Sequence, residues 1–252
     1  MIDALVLAGS PNDGPLRLCS PASYEALITI KGKLMVEYVV EALGQCDQVD
    51  RIVIAGPRDE LARHFQANDR VLLAQHGQDL TENVLLGLKQ LPAARQVLLV
   101  TSDIPLITKK SIDNFIDLCK GADADLFYPI VSREVVEQRF SASKRTYVQL
   151  KDGVYTGGNI FLINPNVVEE CMPRGQKLVE ARKNPLRMCR LVGLIFLIKY
   201  LMKNITLEEA QIKVSRLLGI RGRVVISRYP EVGVDVDKPS DLELVSQQLE
   251  LA

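Results

Sequence analysis

Histidine is almost missing from this chain: among 252 residues only His64 and His76 occur, one in a helical and one in a loop context, with no partner pattern around either. That argues against a nucleophile triad built on an imidazole. An excess of one charge is missing too, since 31 Lys and Arg stand against 31 Asp and Glu. The surface as a whole offers no positive field to hold a nucleic-acid backbone or an anionic membrane, so any polyanion is bound locally. Paired cysteines are absent. The five that occur (Cys19, Cys46, Cys119, Cys171, Cys189) are scattered and never form C-x-x-C, which argues against a disulfide framework or a structural zinc site.

No apolar run is long enough to span a bilayer. The stretch 191–202, LVGLIFLIKYLM, is interrupted by Lys199 and flanked by Arg187, Arg190 and Lys203, and it falls short of the ~20 residues a spanning helix needs. It reads as a buried or subunit-interface helix, with a membrane-surface contact as the alternative. The opening MIDALVLA lacks the basic segment and cleavage pattern of a signal peptide and reads as a strand. A cytoplasmic protein with reduced thiols is the expectation.

What is present is an ordinary globular composition, 47% hydrophobic and 25% charged, which excludes disordered and fibrous classes. Short apolar runs at Ala4–Leu7, Arg51–Ala55, Val71–Ala74 and Val97–Val100 alternate with amphipathic stretches at Lys33–Leu43, Arg58–Phe65, Leu80–Leu91 and Lys109–Cys119. This order predicts a mainly parallel sheet covered by helices on both faces. Beyond Leu126–Val131, residues 146–163 read as extended segments joined by glycine turns. Residues 166–218 read as wholly helical, punctuated by Pro173 and Pro185, with a Thr-x-x-Glu capping box at 206–209. A strand at Val224–Ser227 and a helix from about Ser240 close the chain. With no repeat and no linker, one α/β domain over 1–252 with a helical insertion at about 166–218 is expected.

Ligands in such sheets sit beyond the carboxyl ends of the strands. After the first strand comes LAGSPNDGPLR, whose glycines would let backbone N–H groups approach phosphate oxygens and whose Arg17 could neutralise them. Taken alone, a glycine-rich surface turn fits it equally. VLLVTSDIPLIT delivers Asp103 to the sheet edge, where a carboxylate suits a hard divalent cation or a helix cap. In GVDVDKPSDLELV, Asp235 and Asp237 share one face of an extended run, and same-face carboxylates repel unless a cation lies between them. A plain strand-to-helix turn is the other reading; Asp241 reads as part of the first turn of the last helix. YTGGNIF places Gly157 and Gly158 before Asn159, either a close approach to a ligand or a bulge at a strand entrance.

Taken in order, VLAGS (6–10), GKLMVEYVVEAL (32–43), TSDIPLIT (101–108), YTGGNIFL (155–162) and DVDKPSDLELV (235–245) resemble the MobA-like nucleotidyltransferase superfamily. The resemblance implies a Rossmann-like, GT-A-type three-layer αβα fold with a mainly parallel mixed sheet. It also implies a reaction of an NTP with a phosphorylated small-molecule acceptor (a sugar phosphate, polyol phosphate or molybdopterin-like compound) that releases pyrophosphate. Nucleotide-binding residues would then be Leu7, Ala8, Gly9, Ser10, Gly14, Arg17 and Ser102, with Gly77, Thr81 and Asn83 toward the nucleobase. Gly157, Gly158 and Asn159 would belong to the acceptor site. Asp103 and Asp235, and less directly Asp237, would hold Mg2+, and Arg17, Asp103 and Asp235 would carry catalysis. Nucleic acid and membrane are not expected as partners; a homodimer is compatible.

The chain departs from the family pattern at Ser10, which replaces a glycine, and at Glu25, which stands where a phosphate-contacting lysine is expected; Arg17, Lys31 and Lys33 are the candidate substitutes. Two alternatives stay open: a GT-A glycosyltransferase using Asp-Val-Asp as its metal motif, and a nucleotide-binding regulator without turnover.

Overall fold

A computed structural model describes residues 1–65, 68–141, 143, 145–181 and 185–251. The strands are β1 (Ile2–Leu7), β2 (Thr29–Ile30), β3 (Lys33–Leu34), β4 (Val49–Gly56), β5 (Val71–Gln75), β6 (Val97–Thr101), β7 (Leu126–Ser132), β8 (Val148–Leu150), β9 (Gly153–Gly157), β10 (Ile160–Ile163) and β11 (Gly222–Ser227). The α-helices are α1 (Met35–Gly44), α2 (Arg58–Phe65), α3 (Leu80–Leu88), α4 (Lys109–Cys119), α5 (Arg133–Arg139), α6 (Val168–Ala181), α7 (Pro185–Val192), α8 (Leu194–Leu201), α9 (Leu207–Leu218) and α10 (Pro239–Glu250).

Nine strands form one sheet in the order β5-β4-β1-β6-β10-β7-β9-β8, with β11 paired to β7; β2 and β3 make a separate small hairpin. β5, β4, β1 and β6 run parallel, and β10 reverses against β6. The reversal marks the expected change at residues 146–163, where Gly153 and Gly158 turn the chain between short strands. β1 is buried along its middle on both sides, so it reads as a continuous apolar run rather than an alternation. Val6 and Ile54 pack with Val39 and Leu43 of α1 and Phe115 of α4 on one face. Leu5 and Val53 pack with Val84 of α3 and Cys171 of α6 on the other. Each such side chain withdrawn from water contributes about 1.5–3 kcal/mol, and the two faces together make a three-layer, Rossmann-like α/β protein.

Several expectations need correction. Lys33 and Leu34 belong to β3, not to α1, because Glu37 accepts from the Leu34 N–H at 2.6 Å and starts the helix two residues later. α3 stops at Leu88 rather than Leu91. Pro173 lies inside α6 instead of punctuating it. α5, capped by the Ser132 hydroxyl, was not anticipated. The insertion does hold α6 to α9, with the 206–209 capping box formed; its residues 182–184 lie outside the described ones. The apolar stretch 191–202 is broken by Gly193, whose φ of 86° a side chain would resist. Its second half, α8, has no buried residue, and Ile195 is 77% exposed, so the buried-helix expectation fails. Among the described residues no helix is long and apolar enough to cross a membrane.

Candidate functional site: an acidic cluster beside a glycine loop

A third apolar cluster lies at the carboxyl edge of the sheet and builds the site. Val234 and Val236, both fully buried, pack with Leu16, Val131 and Val245. Alternation along this extended run turns Asp235 and Asp237 to the opposite side. β6 meanwhile delivers Thr101, Ser102 and Asp103. The Val236 N–H donates to the Asp103 carbonyl at 2.9 Å, a backbone bond that ties together two motifs more than a hundred residues apart. Carboxylate atoms of Asp103, Asp235 and Asp237 consequently lie within 4.8 Å of one another.

The fixing contacts are specific. The Thr101 hydroxyl donates to the Asp103 carboxylate. Arg145, whose side chain is only 6% exposed, donates to the Asp235 carboxylate, donates to the Asp235 carbonyl at 2.6 Å and pairs with Asp241 at 3.3 Å. Asp241 also accepts the Asp237 N–H at 3.2 Å, so its role is to hold the turn. Buried Glu231 accepts from the Thr108 hydroxyl at 3.1 Å and from Arg139 at 3.0 Å, pinning the segment leading into Asp235.

Electrostatically the cluster is short of positive charge. Burial pushes the Asp235 carboxyl up to about 7; the Arg145 guanidinium opposes this, and Asp103 and Asp237 add to it. Asp103 is raised by burial and by Asp237, against the hydrogen bond from Thr101. Glu25 faces the same group: burial first, then Asp103, Asp237 and Asp13, raise it to about 7. Three carboxylate oxygens within one ion's reach fit a hard divalent cation such as Mg2+.

The loop after β1 lies alongside. A Cβ on Gly9 would stand 2.8 Å from the Asn83 amide nitrogen and 3.1 Å from His76, so glycine is required for α3 to approach. Asn83, nearly buried, accepts the Gly77 N–H at 2.6 Å, and Asp79 caps α3 through the Glu82 N–H at 2.8 Å. Thr81 lies in the first turn of α3. The Ser10 carbonyl accepts from the Glu25 N–H at 3.0 Å, and the Leu7 carbonyl from Ser102 at 3.2 Å; Ala8 is buried behind them. The structure thus brings Leu7, Ala8, Gly9, Ser10, Gly77, Asn83 and Ser102 to one edge. Gly14 meets no neighbour that demands a glycine. Arg17 donates to the carbonyls of Pro21 and Ala22 at 2.7 and 2.9 Å, which braces its own loop. Lys31 pairs with Glu250 and Lys33 with Glu41, so neither is directed at the acidic group.

On the far side, Gly158 donates to the Pro129 carbonyl and Asn159 to that of Val232, each at 2.9 Å, and the Asn159 carbonyl accepts from Thr101 at 3.1 Å. A Cβ on Gly157 would collide with the Tyr128 hydroxyl, and one on Gly158 would lie 2.7 Å from Val232. Arg145, Thr101 and the histidine contact from the Tyr24 hydroxyl, 3.1 Å from His76, were not singled out from sequence. Only Glu25 carried a signal, as an acid in a position where a base was expected.

The fold and this site define a Rossmann-like α/β protein with an acidic, cation-compatible group at the carboxyl edge of its sheet, beside a glycine-bearing loop. Residues 5–173 match the family described as the MobA-like NTP transferase domain, and the chain belongs to that family. A phosphoenolpyruvate guanylyltransferase of Sphaerobacter thermophilus is 31% identical over 81 residues, which is 31% of this chain and 39% of that protein; the chain thus spans well under half the length of this curated relative. A structure described as a hypothetical transferase from Thermus thermophilus is 36% identical with a TM-score of 0.81, covering 96% of this chain and 99% of that one. CMP:2-keto-3-deoxy-manno-octonic acid synthetase complexed with CTP superposes at a TM-score of 0.63 and 13% identity, over 100% of this chain and 99% of that one. At that identity the likeness concerns the fold alone.

Proposed function

We propose that this protein is a Mg2+-dependent nucleotidyltransferase that moves an NMP from an NTP to a phosphorylated small-molecule acceptor. A phosphate oxygen of the acceptor attacks the α-phosphorus, a new P–O–P bond forms, the bond to the β-phosphate's bridging oxygen breaks, and pyrophosphate leaves in line. The observation that carries this reading is the meeting of Asp103, Asp235 and Asp237 within 4.8 Å beside the loop of Gly9 and Ser10. Mg2+, when bound by these carboxylates, would offset charge on the reacting phosphates.

The chain's own residues supply position. Thr101 and the Val236 N–H hold Asp103, and Arg145 with Asp241 holds Asp235. Gly9 and Ser10 offer backbone N–H groups to the phosphates, Gly77, Thr81 and Asn83 edge the nucleobase, and Gly157 to Asn159 receive the acceptor. An ionised acceptor phosphate needs no general base near neutral pH, which agrees with a site free of catalytic histidine. Positioning and charge neutralisation then provide most of the acceleration. The guanylyltransferase relative makes GTP the first donor to try. Purified protein incubated with each NTP, Mg2+ and a panel of phosphorylated acceptors should release pyrophosphate, and Asp103→Ala should abolish that release; unchanged turnover in Asp103→Ala removes the carboxylate from the mechanism. Glu25 favours a second reading, a nucleotide-binding regulator, which the same assay identifies as NTP binding without pyrophosphate.

A further inference from the structure

Beside the acceptor turn the sheet and two helices enclose space that the proposed chemistry leaves unused. A cavity of about 700 Å3 lies between the β7–β9 side of the sheet and helices α6 and α9, a volume in the range that holds a small organic ligand. Leu126, Tyr128 and Ile130 of β7 form its floor, with Met172 of α6 at one wall. The other wall is a stripe on α9, Leu207, Ala210, Val214 and Leu218, spaced as one face of a helix. Such a stripe normally seals against a core, yet no residue of α9 is buried; the stripe faces the cavity instead. The surface turned to the cavity is mainly apolar, although Gln176, Gln211, Ser215 and Arg223 also line it.

The cavity adjoins the proposed acceptor turn. Thr156 and Gly157 of the acceptor turn are part of its wall, as is Thr81 at the nucleobase edge. From Gly157 the chain passes through Gly158 to Asn159, whose carbonyl accepts from Thr101 at 3.1 Å, and the Thr101 hydroxyl donates to Asp103. A ligand with its phosphate at the acidic cluster would therefore meet an apolar chamber on its other end.

We infer that the acceptor is a phosphate monoester carrying a hydrocarbon group, and that the chamber between β7, α6 and α9 receives this group. The inference rests on the proposed nucleotidyl transfer for its phosphate end and on the cavity alone for its apolar end, so the test has two independent arms. In the first, butyl, hexyl and octyl phosphate serve as acceptors with NTP and Mg2+, and KM should fall roughly threefold to fourfold per added methylene until the chamber fills. In the second, without nucleotide, the neutral dye N-phenyl-1-naphthylamine should bind and be displaced by octyl phosphate but not by methyl phosphate. Ala210→Trp should flatten the chain-length gradient and weaken dye binding at least tenfold, and Val214→Trp is the second variant should the first fail to fold.

Dye displacement that is blocked by the tryptophan variants, with no pyrophosphate from any acceptor, would uphold the chamber and sink the nucleotidyl-transfer reading. Pyrophosphate release with a KM indifferent to chain length, and dye binding indifferent to both substitutions, would overturn the chamber while leaving that reading intact. A dye signal that vanishes on self-association, followed by light scattering, would mean that a second copy covers the stripe, and would equally overturn it.

Discussion

Neutralising Asp237 should make the metal-free protein more stable. Its carboxylate lies within 4.8 Å of both Asp103 and Asp235, so each pair costs at least about 0.9 kcal/mol in a fully aqueous dielectric and about 3.5 kcal/mol at an effective dielectric of 20. Asp237 is the exposed member of the group, so the aqueous figure governs, and at about pH 9, above the raised value of Asp235 near 7, two relieved pairs give about 1–2 kcal/mol. Asp237→Asn keeps the backbone N–H that Asp241 accepts and leaves the Arg145 contacts alone, so little else changes. For a chain of this size about 1 kcal/mol moves the Tm by roughly 2–4 °C. Thermal denaturation in EDTA should accordingly show the variant melting a few degrees above wild type, by less at 1 M salt. Added Mg2+ should raise the wild-type Tm, since binding to the folded state alone stabilises it, and should raise that of the variant less. A Tm in EDTA that is unchanged or lower in the variant would show that the three carboxylates do not repel as their spacing requires.

Arg145→Met should destabilise the protein by about 3 kcal/mol or more, because Asp241, 4% exposed, loses its guanidinium and keeps the Asp237 N–H at 3.2 Å and Lys238 at 3.8 Å; the urea midpoint at unchanged slope reports it. Asp125, held down to about 2 by hydrogen bonds from Arg221, contributes stability that is complete above its ordinary value near 4 and is lost as pH falls from there toward 2. With Arg221 largely exposed this is discounted to about 1 kcal/mol, so the stability gap between wild type and Asp125→Asn should be present at pH 7 and close by pH 2. Glu25→Lys should raise the Tm in EDTA by an amount worth about 1 kcal/mol, because the new ammonium gains Asp103, Asp237 and Asp13 as neighbours; a fall in Tm would mean that the acid is not directed at the cluster.

Where one physical signal dominated, the sequence was legible. The continuous apolar runs of β1 and β6 can be satisfied only between two helical layers, and the period-two placement of Asp235 and Asp237 between buried valines was readable as a shared face. Arg58–Phe65 and Lys109–Cys119 stand in the structure with the boundaries expected, because polar and apolar faces are sharply divided there. Residues whose partners are remote were not legible. Nothing local to Arg145 says that its guanidinium ends between Asp235 and Asp241, 90 and 96 positions away. Periodicity alone made 191–202 one buried or subunit-interface helix, whereas Gly193 splits it and no residue of α8 is buried; the 3.6-residue repeat reveals an apolar face but not what, if anything, covers it.

Glu25 shows why charge must be judged from the neighbours a residue meets. By resemblance, its position is that of a cation that would contact phosphates, and the sequence offers Arg17, Lys31 and Lys33 as replacements. In the structure Arg17 is engaged by loop carbonyls and the two lysines by Glu250 and Glu41, while Glu25 joins Asp103, Asp235 and Asp237. Among the described residues, four carboxyl groups then gather where the guanidinium of Arg145 meets Asp235. On the proposed nucleotidyl-transfer reading a triphosphate would bring further negative charge to this edge, and its approach would become favourable only when protons on the raised carboxyls or added cations supply what the lysine would have supplied. On that reading, the acid at position 25 would shift the positive charge of the site from the polypeptide to what the polypeptide binds, and nucleotide affinity would depend on divalent cation more steeply than with a lysine there.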